Sequence, residues 1–270
     1  MRKMAAVVIV LGLVSAPRGS LAAPVKDVLW EGPIAAGKTL DLRGLNGPIH
    51  AERATGTTAT VRAIRTSRKS DPALVKIERW EEGGSVYFCA LYPGEEAGSP
   101  NPCDTRKGKE KWKGHDDDRD DIVVEWEVKV PAGVRLVART VNGGLELVDL
   151  AGPVEATTVN GSIRLGTGDL AEATTVNGTI RARLGAGHLS RPLTFRTVNG
   201  SIVLELADGL GAEVLAEALN GEFDTDFPLT ISGRSSHNRL HGTINGGGAL
   251  LSMSTVNGSL TLRRHSSASK

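Results

Sequence analysis

The chain has little from which to build a conventional core. Only 10 of its 270 residues are aromatic, and from Val134 onward there are just Phe195, Phe223 and Phe227. Large rings dominate burial in most domains, so this half has to bury small aliphatic side chains in a regular lattice. Cysteine is almost absent, with only Cys89 and Cys103. No other ligands at matching spacing accompany them, which excludes a cysteine-based metal centre. An excess of one charge is missing too. Lys+Arg number 32 and Asp+Glu 31, a balance of +1, so no strong nucleic-acid field follows. Past the N-terminus no run is long and apolar enough to span a bilayer. At 40% hydrophobic and 23% charged residues, the composition excludes a disordered chain and a multi-pass membrane protein.

Residues 1–22 have the form of a secretory signal peptide. Arg2 and Lys3 precede an apolar run from Met4 to Ala16, and Ser20-Leu21-Ala22 places small residues before a cut at Ala23. An N-terminal anchor is the alternative, but the run is short for the ~20 residues of a span and Arg18 follows it closely. Removing Arg2, Lys3 and Arg18 with the leader takes the balance from +1 to −2. The expected location is therefore periplasmic, cell-surface or secreted, with no stable span after processing. In an oxidising compartment Cys89 and Cys103 are expected to form one disulfide, worth roughly 3 kcal/mol by loop closure.

Glycine is what the chain has in excess, 33 residues or about 12% against an average of ~7%. Of ten asparagines, eight precede glycine: Asn46, Asn142, Asn160, Asn177, Asn199, Asn220, Asn245 and Asn257. Five of the eight read Thr-Val-Asn-Gly in full, at 140–143, 158–161, 175–178, 197–200 and 255–258. From Asn142 on, the steps are 18, 17, 22, 21, 25 and 12. A period near 20 marks a stacked repeat.

Asn-Gly alone suggests type I′ hairpins and an antiparallel meander. Side-chain parity argues otherwise. A two-residue hairpin pairs Val159 with Ser162 and Thr158 with Ile163, mixing apolar and polar residues on both faces. One extended strand puts Val159, Gly161, Ile163 and Leu165 on one face and Thr158, Asn160, Ser162 and Arg164 on the other. The copies starting at Val141, Val198 and Val256 sort the same way. The expected coil is an extended Thr-Val-Asn-Gly-Ser-Ile-x-Leu arm, a turn such as Gly166-Thr167-Gly168-Asp169, and a returning arm from Leu170 to Thr174. Stacked coils would align Asn142, Asn160, Asn177, Asn199, Asn220, Asn245 and Asn257 as an amide ladder.

Asn46-Gly47-Pro48-Ile49 starts the pattern before residue 50, and an insert interrupts it over about 67–121. Within that insert, Leu74 to Tyr92 reads as two strands around Glu82-Gly83-Gly84-Ser85. Trp30, Trp80, Trp112 and Trp126 all lie in the N-terminal half, where they are expected to cap or flank the first coils, since an open stack exposes strand edges. Ile122 to Val130 reads as a strand that rejoins the stack. The tail 265–270 is polar and expected to fray. The whole reads as an all-β parallel β-helix, or β-solenoid, of about eight coils with an N-terminal strand-rich insert. Residues 23–270 form its single domain.

Pro131-Ala132-Gly133-Val134 followed by iterated Thr-Val-Asn-Gly-(Ser/Thr)-(Ile/Leu) resembles the bacterial "putative adhesin" domain of unknown function, related to the head domain of autotransporter adhesins. The resemblance covers about residues 36–262 and is strongest over 131–204 and 255–262. It implies an exported all-β solenoid, and it implies no catalytic residues. The long insert and the cysteine pair depart from the family's simplest pattern.

Asp149, Asp169 and Asp208 recur with the repeat. Carboxylates on one face of a β-helix can do acid–base work on polysaccharides, but turn chemistry beside glycine explains these three. Gly166-x-Gly168-Asp169 occurs once and lacks the spacing of a calcium repeat. His237 and His241 have no helix to align them on a metal. Residues 104–121 carry a basic then an acidic run around Trp112, read as a contact loop for a charged surface or an aspartate cluster for a hard cation, or as a solvated insert whose halves neutralise each other. Asn160, Asn177, Asn199 and Asn257 match glycosylation acceptors only as a by-product of the repeat. The function expected is an exported, non-enzymatic structural or binding module of the cell envelope with a glycan or protein ligand, no cofactor and no nucleic-acid partner. The alternative is a carbohydrate-active enzyme on the same scaffold.

Overall fold

The computed structural model describes residues 25–92, 121–231 and 238–265, the side chains of 25–29 excepted. The proposed leader, Cys103, Trp112, His237, most of the charged stretch 104–121 and the tail beyond residue 265 lie outside the described residues.

The fold is all-β, and a single 3-10 turn at Pro72–Leu74 is its only helical segment among the described residues. The N-terminal part supplies β1 (Val25–Pro33), β2 (Thr39–Arg43), β3 (Ile49–Arg53), β4 (Thr58–Thr66), β5 (Lys76–Glu82), β6 (Ser85–Leu91) and β7 (Val123–Val130). The central repeats supply β8 (Arg135–Arg139), β9 (Leu145–Leu150), β10 (Val154–Thr157), β11 (Ile163–Thr167), β12 (Ala171–Thr174), β13 (Ile180–Leu184), β14 (Leu193–Arg196) and β15 (Ile202–Ala207). The C-terminal part adds β16 (Ala212–Asn220), β17 (Phe223–Thr225), β18 (Thr230–Ile231), β19 (Arg239–Ile244), β20 (Leu250–Asn257) and β21 (Leu260–His265).

These strands form two open, mixed sheets. One has ten strands in the order β1-β4-β7-β3-β9-β11-β13-β15-β21-β17, the other eleven in the order β18-β19-β16-β20-β14-β12-β10-β8-β2-β6-β5. The middle of each sheet is parallel, and antiparallel pairs flank it: β1 with β4, β4 with β7, β5 with β6, and β19 with both β16 and β18. At each Thr-Val-Asn-Gly the chain crosses from the eleven-stranded sheet to the ten-stranded one. No hairpin forms there, because the strands before and after the motif belong to different sheets.

The stack departs from about eight coils in chain order. The last passage, β20 and β21, lies out of sequence: β20 sits between β14 and β16, and β21 between β15 and β17. The rungs therefore run Asn46, Asn142, Asn160, Asn177, Asn199, Asn257, Asn220. Part of the expected insert also belongs to the stack, since β6 pairs in parallel with β2.

The motif is not one straight arm either. In the central repeats it is a corner, and inside–outside parity resets across it. Thr158 is buried and Val159 exposed, whereas Ile163 and Leu165 are buried again on the next strand. The buried threonine pins the corner: its hydroxyl donates to the Gly143 carbonyl at 2.9 Å. The hydroxyls of Thr140, Thr175, Thr197 and Thr255 do the same to Gly47, Gly161, Gly178 and Gly200 at 2.9–3.0 Å. A buried hydroxyl without such a partner would be costly.

The core lies between the sheets. The ten-stranded sheet contributes an in-register row of Ile49, Leu145, Ile163, Ile180, Ile202 and Leu260, none more than 1% exposed. The other sheet contributes Ala138, Ala156, Ala173, Phe195, Met253 and Ala216 in register. Branched aliphatics on one side and mostly alanine on the other make a thin core that needs few rings. The aromatics gather at the N-terminal end, where Phe88 packs against Trp30 (centroids 6.2 Å apart) and against the fully buried Trp126 (6.4 Å). The edge strand β5 carries Lys76, Glu78, Arg79, Glu81 and Glu82, charges that discourage edge-to-edge pairing.

Asp121 anchors the segment entering β7. Its Oδ2 accepts from the backbone N–H groups of Arg68 (2.8 Å) and Lys69 (2.6 Å). A hydrogen bond from the Ser70 side chain, together with these amides, holds its carboxyl down at about 2, from an ordinary 3.8. A depressed carboxylate contributes stability above its unfolded pKa and loses it as pH falls through the folded one. Thermal stability is thus expected to fall between about pH 4 and about pH 2, and Asp121→Asn to show a smaller fall over that window. Melting curves of both proteins across it provide the check.

Candidate functional site: a groove on the ten-stranded sheet

The outer face of the ten-stranded sheet carries a groove of about 690 Å³. One register level of its lining is His50 on β3, Glu146 on β9, Arg164 on β11, Arg181 on β13 and Val203 on β15. Two residues further along the strands come Gly166, Arg183 and Glu205. These side chains point outward because the residues alternating with them, such as Ile163, Leu165, Ile180 and Ala182, fill the core.

A β-bulge opens the floor. Val148 and Asp149 on β9 together face the single residue Gly166 on β11, between the pairs Leu147–Leu165 and Leu150–Thr167. Bulges bend a strand and re-aim its side chains. Asp149 takes φ 53° to make this one, a left-handed conformation that Asp tolerates better than most residues. Gly166 opposite leaves the floor without a side chain. A Cβ built there would meet only the Asp149 backbone nitrogen, at 3.7 Å, so the backbone itself would accept one.

Most bases on this face have an acid beside them. Arg183 meets Glu205 at 2.7 Å, Arg164 meets Glu146 at 3.7 Å, and His50 lies 3.5 Å from both Glu125 and Glu146. Farther out, Lys129 pairs with Glu52, and Arg263 with both Asp224 and Asp226. Arg181 differs. Among the described residues its side chain forms no ion pair or hydrogen bond. Its in-register neighbours are Arg164 and Val203, and Arg183 follows it on the same face.

On the outer face of the eleven-stranded sheet, the charges around Asp41 and Glu155 are closed among themselves. Arg139 bridges Asp41 (3.0 Å) and Glu155 (2.7 Å), Arg43 also holds Asp41 (3.0 Å), and Arg135 holds Glu155 (2.6 Å). Burial pushes the Glu155 carboxyl up, but Arg139 and Arg135 outweigh it and hold it below the usual range. The hydrogen bond to Asp41 raises the Arg43 guanidinium. Arg43 also lies over Trp80, which stacks on Tyr87 at 5.2 Å.

Of the residues expected to form the ladder, six stand in a row at the corner. The Nδ2 of Asn160 donates to Oδ1 of Asn142 at 2.9 Å, Asn177 to Asn160 at 2.8 Å, and Asn199 to Asn177 at 2.8 Å. Asn257 donates to Asn199 at 2.8 Å and Asn220 to Asn257 at 2.9 Å. Asn245 is elsewhere. It sits at φ 48° in the turn after β19, with its Nδ2 on the carbonyls of Asp208 and Leu210. Because β19 runs antiparallel to β16, its end does not reach the corner. The row ties neighbouring rungs, each bond worth about 0.5–1.5 kcal/mol net, and engages one Nδ2 donor and one Oδ1 acceptor of the asparagines inside it in the stack.

The other candidates do not converge. Asp149 is in the groove, whereas the Asp169 carboxylate caps its own turn by accepting from Leu170 N–H at 2.7 Å. Asp208 contributes its carbonyl to Asn245. His241 pairs with Glu213 at 2.6 Å, and no group of three or more metal-ligating side chains occurs among the described residues. Cys89 is buried in β6, and its expected partner lies outside the described residues. Sequence reasoning missed Arg181, Arg183 and His50. The available signal was the outward x position of Ser/Thr-Ile-x, where Arg164 and Arg181 recur 17 residues apart.

No family model matches the chain, and no curated protein matches it. Among solved structures it is similar to a "putative cell adhesion protein" from Clostridium sporogenes, at 11% identity over 90% of this chain and 100% of that one, with a TM-score of 0.48. It is also similar to a "putative adhesin" from Bacteroides fragilis (10% identity, 90% and 98% coverage, TM-score 0.27). A "putative lipid binding protein" from Parabacteroides distasonis shows 10% identity, 90% and 97% coverage and a TM-score of 0.29. At these identities and TM-scores the likenesses say nothing about what this chain binds.

Proposed function

We propose that the protein is an exported, non-enzymatic β-solenoid acting as a binding module of the bacterial cell envelope, adhesin-like in presenting a long regular face to a glycan or protein ligand. The observation that carries this reading is the groove across β9, β11, β13 and β15, with its bulged, glycine-floored centre and outward charged walls. Parallel passes alternating between two sheets support the solenoid, and the N-terminal leader supports export. In that compartment Cys89 and Cys103 form the disulfide.

One observation favours the enzymatic alternative: carboxylates and bases share the groove. The spacing of the two arginine-held glutamates opposes a role for that pair. Glu146 and Glu205 lie three strands apart, about 14 Å at the usual strand separation. Paired glycosidase carboxylates are roughly 5–9.5 Å apart. Both are also exposed and held by arginines, unlike a general acid buried in an apolar pocket.

The test is a binding screen of the secreted mature protein against immobilised glycans and envelope components, repeated with Gly166→Leu, which fills the groove floor. A ligand captured by the parent and weakened at least about tenfold, or ~1.4 kcal/mol, by Gly166→Leu supports the reading. Capture of nothing, or capture indifferent to Gly166→Leu, refutes it.

A further inference from the structure

We infer that Arg164, Arg181 and Arg183 form an oxyanion subsite, and that the groove takes a linear acidic polysaccharide whose carboxylates are separated by neutral sugars. This deepens the binding-module reading and rests on it.

Unpaired positive charge favours an anion here. Arg164 and Arg181 are direct neighbours on parallel strands, about 4.8 Å apart along the stack, and like charges in that position destabilise a sheet. Arg183 lies two residues beyond Arg181 on the same face. The other arginines named on this face gain a carboxylate within the protein, whereas Arg181 gains none among the described residues. An oxyanion placed over Arg181 removes the repulsion. The planar guanidinium fork suits a carboxylate in particular, through paired charge-assisted hydrogen bonds.

The shape of the groove favours a chain. Gly166 and Val203 beside the arginines present no polar bulk, so a ligand can approach the sheet there. The groove is open and runs across successive strands, which fits a chain better than a single sugar. The strand separation is close to the length of one sugar in an extended polysaccharide, so successive rungs can meet successive residues.

The groove's own carboxylates limit the charge density of the ligand. Glu146 and Asp149 on one side, and Glu205 on the other, share the groove with the three arginines, so the positive surplus is local to Arg181. A densely charged polyanion would press its further anions against these carboxylates. A carboxylate flanked by neutral sugars presents hydroxyl donors to them instead.

The test measures binding of the full-length mature protein to hyaluronan octasaccharide, in which carboxylate-bearing and neutral sugars alternate. Comparison probes are its carboxyl-reduced neutral form, dextran sulfate and anionic phosphatidylglycerol vesicles. The expected result is binding to hyaluronan that weakens at least about tenfold, or ~1.4 kcal/mol, on carboxyl reduction and in Arg181→Gln. Arg196→Gln, on the other sheet, should change nothing. Both positions are exposed, so the two variants should melt with the parent. Equal binding of the reduced form, unchanged binding by Arg181→Gln, or a preference for dextran sulfate or the vesicles overturns the inference. If a neutral glycan binds and is lost with Gly166→Leu but not Arg181→Gln, the binding-module reading stands and the acidic-ligand inference falls. If nothing in either experiment binds the parent protein, both fall.

Discussion

Replacing Gly178 with alanine is expected to destabilise the protein by about 3 kcal/mol or more, lowering its melting temperature by roughly 6–12 °C for a domain of this size. The cause is the contact between rungs. A Cβ at Gly178 would lie 2.0 Å from the Gly161 carbonyl oxygen and 2.5 Å from its carbon. Both are backbone atoms of the next rung, and that rung cannot retreat. Asn177 N–H donates to Val159 at 2.8 Å and Gly178 N–H to Asn199 at 3.0 Å, tying the corner to rungs on both sides. The same clash, at 2.0–2.1 Å, recurs at Gly143, Gly161, Gly200 and Gly258. The invariance of glycine after asparagine in the repeat is therefore a matter of close approach. Gly187→Ala is the control: nothing lies within 4 Å of a Cβ there, and its effect should stay within about 0.5 kcal/mol. Equal melting temperatures for Gly178→Ala and the parent would mean that the rungs do not touch at the glycines.

Ile180→Asp is expected to be still more damaging, at about 3–5 kcal/mol, the cost of an uncompensated buried charge. Ile180 is fully buried and lies in register between Ile163 and Ile202, so an aspartate there meets only aliphatic neighbours in the row. Ile180→Val, which trims one methylene, should cost only about 0.5–1.5 kcal/mol. Denaturant unfolding of the two variants separates these cases. If Ile180→Asp unfolds at the parent's midpoint, Ile180 does not face the core.

Side-chain parity made much of this legible. The alternation from Ile163 to Leu165 and from Ile180 to Ala182 distinguishes a parallel stack from a meander, and the strands pair in parallel. Parity was less informative at the corner, because it assumes a continuous strand. The chain bends between Thr158 and Ile163, so Thr158 turns in and Val159 out. Asn-Gly also has two uses that the dipeptide cannot distinguish. At Asn160 it makes a corner between sheets. At Asn245-Gly246 it makes a turn with φ 48° and 86°, closed by Gly247 N–H on the Ile244 carbonyl, the geometry favoured in type I′ turns. Rung order was hidden for another reason. Spacing suggests that the Asn220 rung follows the Asn199 rung, but strand pairing is a long-range choice, and β20–β21 occupies the place between them. The groove depends on the same long-range register, since Arg164 and Arg181 become neighbours only once β11 and β13 pair.

The stacking order is tested most directly by cross-strand NOEs in solution NMR spectra of the mature protein. Ile202 N–H donates to Ser259 and Leu260 N–H to Glu222, each at 2.9 Å, so NOEs are expected to connect Ile202 with Leu260 and Leu260 with Phe223. Ile202 and Phe223 should show none between them. Direct NOEs between Ile202 and Phe223, with Leu260 at the end of the stack, would contradict the rung order and the parallel register on which the groove depends.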